Sequence, residues 1–94
     1  MTQELVPMET ILKFEPGVRL KEDSARERFV ILGPEVLIEL NQTGTAIMSQ
    51  IDGVSSVQEV ISKLAKEFAT EPTEITQDVR EFMTAMAMNR VLTK

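Results

Sequence analysis

The order of apolar and polar residues divides the chain into an extended half and a helical half. Residues 29–32 and 36–40 are short apolar runs rich in Val and Ile, and Gly33-Pro34-Glu35 joins them. Runs of this composition around a Gly-Pro pair are typical of a strand, a turn and a second strand. In the second run, apolar side chains recur at every other position, which gives that strand one apolar side.

The residues before this hairpin predict a first strand and an arm. Residues 18–21 alternate between apolar and basic side chains after a Pro-Gly turn signal, so we expect them to pair with residues 29–32. The charged residues 22–27 are predicted to be a loop. Pro7 interrupts the pattern of residues 1–15, which we interpret as a mobile arm able to dock on the domain or on a neighbouring copy. Residues 16–94 are then the single domain.

Two capped helices are predicted after the sheet. Asn41 is suited to cap a first helix that ends near Ile51, because its side-chain oxygen accepts from free backbone N–H groups. Ser56 and Glu59 have the spacing of a capping box, which begins the second helix. That helix carries an apolar stripe with helical spacing, formed by Val57, Val60, Ile61, Leu64 and Phe68.

A third helix is predicted from Thr73, as its cap, to about Asn89. We expect Phe82 to lie in the core and Met83, at the margin of the stripe, to face a ligand. Strands followed by helices indicate the α+β class, and the arrangement suggests a winged helix-turn-helix-like fold with a three-stranded antiparallel sheet. The apolar stripe of the third helix consists of Ile75, Val79, Phe82, Met83 and Met86.

Composition excludes several classes of function. The 94 residues contain neither Cys nor His, which removes thiol nucleophiles, His-based metal sites and the usual proton-transfer side chain. The carboxylates have no catalytic partner residues, so we predict no enzymatic activity, no cofactor and no metal. A net charge of −5 disfavours nucleic-acid and membrane binding, and the third helix lacks a basic face. We expect a cytoplasmic protein that is a monomer or a weak homodimer.

The predicted third strand, residues 36–40, is the best candidate for a binding site. It lacks the lysines and the internal proline that usually protect an edge strand, so a peptide can pair with it by β-augmentation. Methionines in the third helix would give an adaptable apolar groove beside it. The alternative is that a neighbouring strand or the arm covers this edge and that the methionines only fill the core.

At these residues the chain resembles the PqqD family of pyrroloquinoline quinone (PQQ) biosynthesis. The matching features, in order, are Gly33-Pro34-Glu35, Leu40-Asn41 with Thr43, Asp52-Gly53, and Asp78-Val79 with Phe82. Val18-Arg19-Leu20 also fits the first strand of that family, and the resemblance extends from about Pro16 to Leu92. Gly44 is a departure, because the family commonly has alanine there.

The resemblance implies a peptide chaperone, a recognition element for ribosomally synthesised and post-translationally modified peptides (RiPPs). Such proteins bind the leader of the precursor peptide PqqA and present it to PqqE, a radical SAM enzyme. The open alternatives are a winged-helix transcription regulator and the recognition element of another peptide-modifying pathway. The peptide-binding residues implied for this chain are Val36, Leu37, Ile38, Glu39, Leu40, Ile75, Val79, Met83 and Met86.

Overall fold

The computed structural model describes residues 4–94, and its element order confirms the α+β class and the three-stranded antiparallel sheet followed by three helices. Two further short strands, β1 and β5, pair with each other. Within the described range, no helix has the length and apolar character needed to span a membrane. The elements are β1 (Lys13–Phe14), β2 (Arg19–Asp23), β3 (Arg28–Gly33), β4 (Val36–Glu39), α1 (Gln42–Ser49), α2 (Val57–Glu67), α3 (Pro72–Met88) and β5 (Leu92–Thr93).

The sheet has the strand order β2-β3-β4 and packs one face on the helices. Leu20, Ile31 and Ile38 lie opposite one another across the three strands, and Ile31 is fully buried. Strand β2 continues to Asp23, two residues into the predicted loop. The extension is possible because Glu22 pairs with Phe29 while its charged side chain stays in solvent.

The helix starts follow local signals in two cases out of three. The Asn41 side chain accepts from the Gly44 backbone N–H at 2.7 Å, and Ser56 and Glu59 form the complete capping box. The predicted cap at Thr73 is wrong, because α3 begins at Pro72 with Glu71 as its N-cap. Proline fits the first helical position, where its fixed φ is helical and no N–H is needed.

The core lies between the inner face of the sheet and the three helices. The α2 stripe is buried as predicted except for Phe68, which is 52% exposed at the end of the helix. Thr84 is the one buried polar side chain among residues 4–94, and it is fully hydrogen-bonded. The largest fully buried side chains are Ile31, Met48, Ile61, Leu64, Met83 and Leu92.

The N-terminal segment is part of this packing from Val6 onward. The carbonyls of Met8 and Thr10 accept from the first backbone N–H groups of α2, at 2.9 and 2.8 Å. Leu12 is buried, and β1 pairs with β5. The segment therefore docks on its own chain, while the first three residues of the predicted arm lie outside the described range.

Candidate functional site

Strand β4 ends the sheet, and its outer edge is open. The Leu40 backbone N–H donates to the Phe29 carbonyl at 3.0 Å, which fixes the hydrogen-bonding parity of the β3–β4 pair. Because backbone groups alternate in direction along an antiparallel strand, the N–H and C=O groups of Leu37 and Glu39 point away from β3. Within residues 4–94 no other strand pairs with this edge. It is therefore a template for one more strand.

The side chains of β4 divide between the two faces of the sheet. Val36 and Ile38 are half-buried against the core, whereas Leu37 is 69% exposed on the opposite face. The Glu39 carboxylate lies on that outer face and accepts from Arg26 and Arg28 at 3.0 and 2.7 Å. The inner side of the strand is thus apolar, and its single carboxylate is held away from that side.

The residues at the two ends of β4 lie near different parts of the α3 region. Near the end of β4, the backbone of Gly44 lies between the side chains of Leu40 and Phe82. Near its beginning, Val36 lines the same hollow as Asn89 and Arg90, which follow α3. We call the space between the β4 edge and the α3 residues from Phe82 to Asn89 the strand–helix groove. Its strand side offers backbone groups. Its Phe82 end is apolar, whereas Glu35, Asn89 and Arg90 line the end near Val36.

A deeper pocket, which we call the Gly44 pocket, lies at the Phe82 end of the groove and has a volume of about 450 Å³. It is apolar inside, with the exposed polar residues Asn41, Thr43 and Asp78 at its border. A Cβ atom at position 44 would come within 3.2 Å of the Phe82 ring, so glycine lets the ring lie close to α1. The remaining lining residues are Ile47, Leu64, Phe68, Ile75, Val79 and Phe82.

The structure reverses the expected burial of two neighbours on α3. Met83 is 1% exposed in the core, whereas Phe82 is half-buried and lines the Gly44 pocket, so the burial of the pair differs from our expectation. Successive helical residues are about 100° apart, and the core direction passes through Val79, Met83 and Met86. Of the predicted α3 residues, Ile75 and Val79 line the pocket, and the two methionines support it from the core.

Sequence reasoning also missed binding-site candidates outside β4 and α3. Asn41, Thr43 and Gly44 line the pocket, although they were singled out only for the helix cap and the family pattern. Phe68 lines it from the end of α2. The sequence carried no signal for this role, because helical spacing places Phe68 on the apolar stripe of α2 and only the structure shows that it is exposed.

A local electrostatic feature lies away from the groove, in the turn between α1 and α2. The backbone N–H groups of Val54 and Ser55 donate to Asp52 Oδ1 at 2.9 and 2.8 Å. These bonds, with one from the Ser55 hydroxyl, lower the pKa of the Asp52 carboxyl to about 2. Among the residues described, no cluster of three or more acidic side chains is arranged to hold a metal ion.

Known proteins share both this sequence pattern and this fold. Residues 28–92 match the family model of Coenzyme PQQ synthesis protein D (PqqD). A "PqqA binding protein" from Xanthomonas campestris is 38% identical over 76 residues, covering 81% of this chain and 83% of the relative. A "PqqA binding protein" from Methylococcus capsulatus is 35% identical over 81 residues, covering 86% of this chain and 85% of the relative.

Two solved structures resemble the fold. The solution NMR structure of the PqqD part of Methylobacterium extorquens PqqCD, described as a functional, stand-alone RiPP recognition element, has a TM-score of 0.80 at 26% identity and covers 94% of both chains. The crystal structure of PqqD from Xanthomonas campestris has a TM-score of 0.60 at 31% identity and covers 100% of this chain and 99% of that chain. The resemblance seen in the sequence is confirmed. The chain belongs to the PqqD family.

Proposed function

We propose that this protein is a non-catalytic peptide chaperone of PQQ biosynthesis in the cytoplasm. It binds the leader of the precursor peptide PqqA and presents it to the radical SAM enzyme PqqE. Relatives named as PqqA binding proteins and a solved relative described as a RiPP recognition element support this function. The observation that carries the proposal is the open edge of β4, where the backbone groups of Leu37 and Glu39 point away from β3 beside the strand–helix groove.

The leader adds a fourth strand to the sheet in this proposal. Its backbone pairs with Leu37 and Glu39, and its inward side chains rest on Val36, Ile38 and Phe82. Leu40, Ile75 and Val79 shape the Phe82 end of the groove, where a large apolar side chain of the leader enters the Gly44 pocket. Met83 and Met86 contribute by holding α3 in place rather than by touching the peptide.

A titration of isotope-labelled protein with synthetic PqqA leader tests this proposal. Amide resonances of Leu37 and Glu39 should shift and become protected from hydrogen exchange, because each N–H gains a backbone acceptor. Amides of Leu20 and Lys21 on β2 serve as the control, because that strand lies at the far side of the sheet. Shifts of equal size on β2 and β4, or none at all, would contradict leader binding at the β4 edge.

The competing assignment is the recognition element of another peptide-modifying pathway. The groove has the same shape under either assignment, so the two differ only in which leader binds. A competition experiment between the PqqA leader and an unrelated RiPP leader separates them. We expect the PqqA leader to bind at least tenfold more tightly, which corresponds to about 1.4 kcal/mol of binding free energy.

A further inference from the structure

The face of the sheet that points away from the helices is a second apolar surface. Cross-strand pairing places Arg19, Leu32 and Leu37 in one row of this face and Lys21, Val30 and Glu39 in the next. We call these six residues the outer sheet face. The turn at residues 24–26 borders this face, and the hollow between the turn and the face has a volume of about 540 Å³. Its apolar part consists of the exposed Leu37, the half-buried Leu32 and the buried Val30.

This surface differs in charge from the remainder of the protein. Its six residues include two basic side chains and one acidic side chain, a net charge of +1, whereas the whole chain carries −5. Arg26 and Arg28 are paired with Glu39, so that carboxylate is neutralised. Within the part of the chain that is described, Arg19 and Lys21 have no ion-pair partner. The outer sheet face thus presents an apolar floor with two unpaired cations at its border.

The outer sheet face and the strand–helix groove can be occupied together. Ile31 and Ile38 face the helices, and their sequence neighbours Leu32 and Leu37 face the opposite way. A peptide strand added at the β4 edge lies in the plane of the sheet, so it extends the outer face instead of covering it. A partner bound on that face would therefore be compatible with a loaded groove.

We propose that the outer sheet face docks a second folded protein whose contact surface is apolar at its centre and carries carboxylates opposite Arg19 and Lys21. The proposal rests on the proposed function in taking this partner to be the enzyme that receives the peptide. Complementary charge at the border of an apolar contact steers association and fixes orientation. A second copy of this chain fits less well, because Glu39 is the one carboxylate of its outer sheet face and is already paired with Arg26 and Arg28.

Charge reversal on β2 tests the proposal in the full-length protein, with the radical SAM enzyme PqqE as the probe. The double variant R19E/K21E should bind PqqE roughly tenfold or more weakly than the parent protein at low salt. The double variant K63E/K66E is the matched control. It makes the same change in net charge on exposed residues of α2 and should retain PqqE affinity. The neutral variant R19Q/K21Q should show a smaller loss in the same direction.

Leader affinity, measured separately for each variant, distinguishes the two proposals. All three variants should bind the PqqA leader within about twofold of the parent, because Arg19 and Lys21 lie two strands away from the β4 edge. Loss of PqqE binding in both charge-reversed variants alike would attribute the effect to net charge and overturn the docking surface. Dissociation of a homodimer by R19E/K21E would overturn it too, in favour of a second copy. Failure of the parent protein to bind the leader would instead refute the proposed function.

Discussion

The two outer strands of the three-stranded sheet have the same topological position but different chemistry. Strand β2 reads Arg-Leu-Lys-Glu-Asp, so four of its five side chains are charged. Strand β4 reads Val-Leu-Ile-Glu, and its one carboxylate is bound by two arginines on the outer face. Charged side chains on an edge strand oppose the addition of another strand. The sheet is therefore open to a peptide on the β4 side and protected on the β2 side.

The largest expected effect comes from proline on β4. Leu37→Pro removes an N–H that points to the open edge, so we expect it to abolish leader binding while the domain still unfolds cooperatively. Ile38→Pro removes an N–H that pairs with β3 and should unfold the domain. Circular dichroism and leader titration of both variants provide the comparison. If Leu37→Pro bound the leader normally, strand addition at this edge would be refuted.

A second contrast concerns the helix that borders the groove beside β4. Met83→Ala removes a fully buried side chain and should cost about 2–5 kcal/mol of stability. Phe82→Ala removes a half-buried ring that lines the Gly44 pocket, so it should cost less stability but lower leader affinity about tenfold or more. Urea denaturation midpoints and leader affinities give two numbers for each variant. If both variants lost stability and leader affinity in the same proportion, α3 would only support the site.

A smaller effect is expected when β4 is given the character of β2. Leu37→Lys places a basic side chain on the exposed face of the strand without touching the core. We expect stability within about 0.5 kcal/mol of the parent protein. Leader affinity should fall several-fold, because lysine protects edges against strand addition. Leu32→Lys is the control, since it changes the same face on the central strand. Equal loss of leader affinity in both variants would point to the face rather than to the edge.

The smallest effect is expected far from both edges, at Asp52. Its pKa is lowered from 3.8 to about 2 in the folded protein, so the ionised carboxylate stabilises the fold fully above pH 4. That contribution disappears as the pH falls towards 2. The stability difference between the parent protein and Asp52→Asn should therefore shrink between pH 6 and pH 2.5, with leader affinity at pH 7 unchanged. A difference independent of pH would show that the charge does not matter.

Sequence reasoning located the open strand because its signals are local. The Gly-Pro turn and the alternating β-branched residues Val36 and Ile38 define β4, and the capping residues Asn41 and Ser56 define two helix starts. The pairing of β1 with β5 had no comparable signal in the first strand. Strands β1 and β5 have only two residues each. The bond from the Glu15 N–H to the Val91 carbonyl, which supports their pairing, joins parts of the chain that are far apart in sequence.

The roles of Phe82 and Met83 could not be separated from the sequence for a different reason. Both belong to the apolar stripe of α3, and helical periodicity cannot tell which member faces another element. The close approach of the Phe82 ring to the backbone at Gly44 shows that Phe82 faces α1. That contact depends on how α1 and α3 pack, so it is a tertiary property.

The N-terminal segment has a consequence for the thermodynamics of ligand binding. The Val6 carbonyl accepts from Arg80 Nε at 2.9 Å, and the Val6 backbone N–H donates to the Thr84 hydroxyl at 2.9 Å. Both partners lie on the side of α3 opposite Phe82. These two bonds hold α3 in position in the free protein. Less conformational entropy should therefore be lost when a peptide binds in the groove. A segment outside the proposed groove therefore preorganises the helix against which a bound leader would rest.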